Sequence, residues 1–127
     1  MKLAHVALWT HDLEAAAAFW QDCFGAEVGA AYHSRRREGF VSRFVTLPGG
    51  GPSIELMVMP GVLDAPRAEH SGWDHVAVSL GSAAAVDTLA ARCDLQGLLR
   101  SPPRMTGDGF YEAVIAMPDG TPIEITA

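Results

Sequence analysis

The sequence contains no run of about 18 or more apolar residues, which a transmembrane helix requires. Its first residues, Met1 to His5, also lack the charged segment followed by an apolar segment that is typical of a signal peptide. We therefore expect a protein that does not enter a membrane and that is located in the cytoplasm.

Cysteine and positive charge are also scarce. Only Cys23 and Cys93 occur among 127 residues, and in a cytoplasmic chain they predict reduced, packed thiols rather than a disulfide framework. The chain has 9 Lys and Arg against 15 Asp and Glu, a net charge of −6. Because nucleic-acid binding needs a basic face, we expect no nucleic-acid partner. The hydrophobic content of 49% is instead typical of a globular protein.

What the sequence does contain is an internal repeat. The tetrapeptide His-Val-Ala-Leu at 5–8 recurs as His-Val-Ala-Val at 75–78. Glu55 follows His5 by 50 residues, and Glu124 follows His75 by 49. Each copy therefore supplies one imidazole and one carboxylate at matching places.

Hydrophobic periodicity and turn residues predict the same order of elements, βαβββ, in both copies. In the first copy we expect strands over 2–9, 27–34, 40–47 and 53–59, with a helix from Asp12 (or Thr10) to about Phe24. In the second we expect strands over 73–80, 96–100, 110–117 and 121–126, with a helix over 82–94. The copies span about 1–60 and 72–127, joined by a linker of about 60–71. Neither copy buries its sheet alone, so residues 1–127 are predicted to form one domain.

Alternation along four strands places the histidines and glutamates on one face. Residues two apart share a face of a strand, so Glu55 lies opposite its aliphatic neighbours Ile54 and Leu56. The aliphatic face must pack beneath the helices, which leaves the polar side chains on the concave face. The same reasoning applies to His5, His75 and Glu124.

Two carboxylates on a concave face would repel one another without a cation, and two neutral imidazoles complete an N2O2 ligand set. We therefore predict one divalent metal bound by His5, Glu55, His75 and Glu124. The set does not distinguish Zn, Ni, Co, Mn and Fe. His70 is the alternative to His75.

The repeated plan and its ligand positions resemble the vicinal oxygen chelate superfamily, which includes glyoxalase I, extradiol dioxygenases and fosfomycin- and bleomycin-resistance proteins. The resemblance covers essentially the whole chain, including Asp-Leu-Glu at 12–14, Phe-Gly at 24–25 and Met-Pro-Asp-Gly at 117–120. It implies an α+β fold in which two βαβββ repeats form an eight-stranded, incompletely closed mixed β-barrel with helices on the convex face. It also implies a homodimer with the metal site at or near the interface.

For chemistry, the resemblance implies a metal-dependent lyase or isomerase of the glyoxalase type. In such enzymes the metal stabilises an enediolate as a Lewis acid, and a ligating glutamate detaches and carries the proton. The resemblance makes Glu124 the first choice for that base and Glu55 the second. Glyoxalase I has Arg and Asn four residues after its first two ligands, where this chain has Trp9 and Met59. We therefore expect a small, mostly apolar carbonyl compound as substrate rather than a glutathione adduct.

Aromatic and Met side chains are predicted to line the substrate pocket, with ordinary packing as the alternative for each. Met105 is expected in a loop over 102–109, and Arg35–Arg37 is expected to form a solvated hairpin turn rather than an anion site. The predicted lining residues are Trp9, Phe44, Met57, Met59, Trp73, Met105 and Tyr111.

Two other functions remain open. An Fe(II) dioxygenase of the extradiol type would use His5, His75 and Glu124 as ligands, with Tyr111 available as its acid. A non-catalytic protein that binds a drug or metabolite would explain the aromatic residues, but it would not need all four ligand positions.

Overall fold

The computed structural model describes residues 1–64 and 71–127, so part of the predicted linker 60–71, together with His70, lies outside the described residues. The chain forms two compact units, residues 1–64 and residues 65–127, which we call unit one and unit two.

Unit one contains one helix against a five-stranded sheet. Its elements are β1 (His5–Trp9), α1 (Leu13–Phe24), β2 (Glu27–Val28), β3 (Tyr32–His33), β4 (Val41–Thr46) and β5 (Ser53–Val58). The strand order is β1-β5-β4-β2, and β3 also pairs with β4. The β1 and β5 strands are parallel, whereas the pairs made by β4 are antiparallel.

The helix α1 begins and ends as its sequence predicts. The Asp12 carboxylate accepts a hydrogen bond from the Ala15 amide at 2.9 Å, which satisfies an otherwise unpaired N–H of the first turn. Gly25 ends the helix with a φ of 64°, a left-handed conformation that glycine adopts without strain. The helix buries Phe19 and Trp20 on the side that packs against β4 and β5.

The strand predicted over 27–34 is divided into β2 and β3, so the described residues 1–64 and 71–127 contain nine strands rather than eight. The amide of Gly29 donates to the carbonyl of Phe44 at 2.8 Å, and a Cβ at Gly29 would lie 3.2 Å from that same oxygen. This close approach bends the chain between the two short strands.

Unit two repeats the plan, and its described residues 71–127 contain four strands. Its elements are β6 (Val76–Ser79), α2 (Ala83–Leu95), β7 (Leu99–Met105), β8 (Tyr111–Ala116) and β9 (Pro122–Thr126). The strand order is β6-β9-β8-β7, with β6 and β9 parallel and the other pairs antiparallel. Ser82 caps α2 through a hydrogen bond from the Ala85 amide, and Val86, Leu89 and Cys93 form its buried side.

The strand predicted over 96–100 lies instead at 99–105, and this expectation was wrong because Pro102 and Pro103 suggested a loop. Proline cannot donate to a β-ladder, but among the described strands β7 pairs only with β8 and is therefore an edge strand. Its register also shifts on both sides of Ser101. Met105 is therefore the last residue of a strand rather than part of a loop.

The α+β class is confirmed, with two sheets that each mix parallel and antiparallel pairs. Closure of the strands into one barrel and the single-domain organisation stay predictions. Among the described residues, every helix is too short or too polar to cross a membrane.

Candidate metal-binding pairs

The predicted alternation is present on the strands that carry the glutamates. On β5, Ile54 and Leu56 are buried, while Glu55 between them is half-buried on the opposite face. On β9, Ile123 and Ile125 are fully buried on either side of Glu124. We call the face that carries the glutamate in each unit the donor face.

In unit one the donor face brings His5 and Glu55 together. The Nε2 atom of His5 lies 4.0 Å from Oε2 of Glu55, and the glutamate side chain is 19% exposed. This approach follows from the parallel pairing of β1 with β5, in which Ala7 is the partner of Glu55. The edge of the Phe44 ring meets the His5 ring at a centroid distance of 5.5 Å, which limits the rotation of the imidazole.

In unit two the equivalent pair is closer. The Nε2 atom of His75 lies 3.3 Å from Oε2 of Glu124, and Nδ1 of His75 lies 2.7 Å from a carboxylate oxygen of Asp74. A carboxylate on one ring nitrogen orients the imidazole and directs the other nitrogen toward a ligand, as is usual for metal-binding histidines. Asp74 is therefore a functional candidate that the sequence analysis missed, although it directly precedes His75.

A second carboxylate lies beside Glu124. Glu112 on β8 is 8% exposed and is the register partner of Thr126, which places it on the donor face. Arg104 donates to Glu112 at 3.0 Å and to the Ser101 hydroxyl at 2.6 Å. A charged residue within an otherwise apolar strand was the sequence signal that could have identified Glu112.

Burial and the adjacent negative charge of Glu112 raise the pKa of Glu124 above its ordinary value, while the proximity of His75 opposes this shift. The Glu124 carboxylate is consequently a stronger base than an exposed glutamate.

Each pair supplies one nitrogen and one oxygen ligand, the donor types that first-row divalent cations accept. Among residues 1–64 and 71–127, the structure contains no group of three or more His, Cys, Asp or Glu side chains placed to hold a metal ion. A single pair is fewer ligands than a stable site requires. The four-residue set of His5, Glu55, His75 and Glu124 therefore stays a prediction.

Three predicted lining residues of unit one lie on its donor face. Phe44 is the register partner of Glu55, and Trp9 is the partner of Met57. Trp9 and Phe44 remain 38% and 42% exposed, so apolar surface is open beside the His5–Glu55 pair. Met59 follows the end of β5, where its sulfur contacts Arg37 at 3.5 Å.

In unit two the predicted lining residues are arranged differently. Tyr111 and Met105 are register partners on the face opposite Glu112, so neither lies on the donor face. The Tyr111 hydroxyl instead donates to Asp87 of α2 at 2.7 Å. Alternation along β8 directs Tyr111 toward the helix, and the role of Tyr111 and Met105 in lining the substrate pocket stays a prediction. Trp73 precedes β6 and is 84% exposed.

Comparison with known proteins agrees with this fold. The family model of the Glyoxalase/Bleomycin resistance protein/Dioxygenase superfamily matches residues 2–125. The chain is 35% identical over 103 residues to the uncharacterized protein PA2024 of Pseudomonas aeruginosa, a match that covers 80% of this chain and 70% of that protein.

Two solved structures have the same fold. A glyoxylase/bleomycin resistance protein/dioxygenase domain from Frankia sp. EAN1pec superposes with a TM-score of 0.84 at 20% identity, covering 99% of this chain and 96% of that one. The fosfomycin resistance protein FosX of Listeria monocytogenes, complexed with Mn(II) and sulfate, superposes with a TM-score of 0.71 at 21% identity. The match covers 98% of this chain and 90% of that one. The chain belongs to the Glyoxalase/Bleomycin resistance protein/Dioxygenase superfamily.

Proposed function

We propose that this protein is a divalent-metal-dependent lyase or isomerase of the glyoxalase type, which acts on a small carbonyl compound. The observation that carries the proposal is the occurrence of one His–Glu pair at the same place in each unit, at 4.0 Å and 3.3 Å. Two pairs supply the two imidazoles and two carboxylates that a first-row divalent cation accepts.

The proposed ligands are His5, Glu55, His75 and Glu124, contributed by one chain or by the two chains of a homodimer. FosX of Listeria monocytogenes, which shares the fold, was crystallised with Mn(II), and this supports a cation in the present protein. When bound, the cation supplies Lewis-acid polarisation of the substrate oxygens.

Glu124 is the proposed base, with Glu55 as its counterpart. A carboxylate whose pKa is raised by burial and by Glu112 takes up a proton more readily at neutral pH than an exposed glutamate does. The proton leaves the carbon next to the substrate carbonyl, resides on a Glu124 oxygen and returns to the neighbouring carbon. His75 holds that carboxylate in position through its contact at 3.3 Å.

Apolar residues of unit one lie beside its own His–Glu pair, where they are suited to contact an apolar part of the substrate. Phe44 and Trp9 flank the His5–Glu55 pair along the donor face. Met57 lies on β5, between Trp9 of β1 and Ser42 of β4. Their partial exposure suits an apolar ligand surface. The same exposure favours the second candidate function, a binding protein that holds a metabolite without converting it.

Metal binding and proton exchange together test the proposal. We expect the metal-stripped protein to bind one of Ni, Co, Zn, Mn or Fe(II) in a calorimetric titration, and Glu55→Gln and Glu124→Gln to weaken binding at least about tenfold. Glu38→Gln is the matched control, because Glu38 is an exposed carboxylate of the hairpin turn.

The loaded protein should also exchange the proton next to the carbonyl of small α-oxoaldehydes for deuterium, as followed by NMR. Absence of binding for every cation would overturn the proposal. Cation binding without exchange of any carbonyl compound would favour the binding protein instead.

A further inference from the structure

In unit one, the hairpin between β3 and β4 directs Arg37 onto the donor face. The guanidinium carbon of Arg37 lies 5.0 Å from the centroid of the Phe40 ring and 5.6 Å from that of Trp9. Its Nη2 atom also contacts the Met59 sulfur at 3.5 Å. Cation–π contacts of this kind hold a guanidinium in place while leaving its N–H groups available for other acceptors.

The backbone of Arg37 is fixed as well. The Ser34 hydroxyl accepts hydrogen bonds from the amides of Arg36 and Arg37 at 3.2 Å and 3.0 Å, and the Phe40 amide donates to the Arg37 carbonyl at 3.1 Å. Gly39, with a φ of +75°, lies so close to Pro60 that a Cβ would be 2.6 Å from the proline ring. The hairpin is therefore anchored to the chain just beyond β5, and Arg37 is preorganised rather than part of a loose turn.

Arg37 lacks an ion-pair partner within the described ranges 1–64 and 71–127, in contrast to Arg43 and Arg104. Arg43 pairs with Glu14 at 3.1 Å, and Arg104 pairs with Glu112 at 3.0 Å. The only side-chain acceptor that Arg37 contacts in those ranges is the weak sulfur of Met59. A planar guanidinium with unused donors is suited to an acceptor with two oxygens, which a carboxylate provides.

The position of Arg37 sets a distance from the proposed reacting centre. Trp9 and Met57 are partners across β1 and β5, and Met57 and Met59 follow Glu55 by two and four residues. At about 3.3 Å per residue, the residues that hold the guanidinium lie on the order of 7–13 Å along the strand from Glu55. The apolar donor face between them can contact a hydrocarbon chain.

We propose that Arg37 binds a carboxylate at the far end of the substrate, so that the substrate class is an oxo acid with an apolar spacer. The reacting end of this inference rests on the proposed function, whereas the carboxylate site does not. Two expectations from the sequence change accordingly. Under this proposal the hairpin carries an anion site, where the sequence predicted a solvated turn, and Trp9 and Met59, although apolar, support a guanidinium supplied by another element.

The carboxylate site is tested first without metal or catalysis. Binding of octanoate and of its uncharged methyl ester to the metal-stripped protein is measured by NMR titration. We expect octanoate to bind at least about tenfold more tightly than the ester, because a charge-assisted hydrogen bond contributes that much. Arg37→Met should abolish this preference and Arg37→Lys should reduce it, whereas the neighbouring Arg36→Met should keep it.

A thermal denaturation scan of each variant, with a midpoint within a few degrees of the wild type, verifies folding. Unchanged preference in Arg37→Met, equal loss in Arg36→Met, or tighter binding of octyl phosphate than of octanoate would overturn the inference. These outcomes leave the metal titration unaffected, so failure of the carboxylate site and failure of the proposed function are distinguishable. The affinities of a series of linear 2-oxo dicarboxylates are then compared. We expect the tightest binding when the oxo group and the far carboxylate are about 7–13 Å apart.

Discussion

Arg104 donates a hydrogen bond of 3.0 Å to Glu112, the buried carboxylate that lies next to Glu124 on the donor face of unit two. The ion pair compensates part of the negative charge of one of two adjacent carboxylates. It therefore affects stability and also sets the electrostatic surroundings of the proposed base.

Loss of this arginine should destabilise the protein. Arg104→Met leaves Glu112 buried without its partner, and we expect the free energy of unfolding to fall by about 1–3 kcal/mol, since the half-exposed guanidinium is already partly screened by water. Urea denaturation at neutral pH measures the change. The control variant is Arg100→Met, at an exposed position of β7. Its free energy of unfolding should differ from that of the wild type by less than about 0.5 kcal/mol. Glu112→Gln in the Arg104→Met background should recover part of the loss, and no recovery would argue against a pairwise cause.

Glu124→Gln should stabilise the metal-free protein at neutral pH. The pKa of Glu124 in the folded state is raised above 4.5, so the folded state binds the proton more tightly than the unfolded state does. The contribution of this group to stability is thus fully present below pH 4.5 and is lost as pH rises through the folded pKa. Denaturation of the stripped proteins between pH 4 and pH 7 should show the advantage of the variant growing with pH. An advantage that is constant with pH would refute this assignment.

Asp74→Asn should weaken metal binding although Asp74 is not a proposed ligand. Removal of its charge loosens the orientation of His75, and such outer partners typically contribute about 10–100-fold in metal affinity. Calorimetric titration with the best-bound cation measures the effect. Asp64→Asn is the control, because Asp64 makes a similar contact of 2.9 Å with His11, which is not a proposed ligand. An equal loss of metal affinity in both variants would show that the effect comes from the overall charge rather than from the contact with His75.

Tyr111→Phe should leave metal affinity and proton exchange unchanged, because the tyrosine lies on the face opposite Glu112 and donates to Asp87. The hydrogen bond to Asp87 is the main cause that raises the pKa of Tyr111 above 10.0. Its contribution to stability is therefore present below pH 10 and is lost as the phenol ionises at higher pH. The stability of the variant should not show this decrease at alkaline pH, which is measured by denaturation between pH 8 and pH 11. A large loss of activity would return Tyr111 to the role of an acid catalyst.

The features that the sequence predicted correctly depend on local rules. The helix caps at Asp12 and Ser82 were identified because a short polar side chain directly before the first turn can accept a hydrogen bond from the amide three residues later. The facing of Glu55 and Glu124 followed from strict alternation between aliphatic neighbours. The family was recognised because the repeated βαβββ plan and its four ligand positions extend over essentially the whole chain, and the family model confirms the recognition.

The features that were missed depend on pairing between distant segments. A strand can contain Pro102 and Pro103 if it lies at the edge of a sheet, and the local sequence does not show which strand is an edge strand. The stacking of Arg37 on Trp9 requires the hairpin to be anchored at Pro60, 23 residues further along the chain. The face of β8 on which Tyr111 lies was not predicted, because it depends on the register of β8 against its neighbours.

The parallel neighbours β1 with β5 and β6 with β9 join the opening and closing strands of each unit. Each His–Glu pair is therefore a contact of high sequence separation, formed only when a loop of nearly fifty residues has closed. In the unfolded chain the histidine and glutamate of each pair are far apart, so they cannot chelate one cation together. Metal uptake should consequently follow chain collapse in refolding experiments, and a cation would slow unfolding more than it speeds folding.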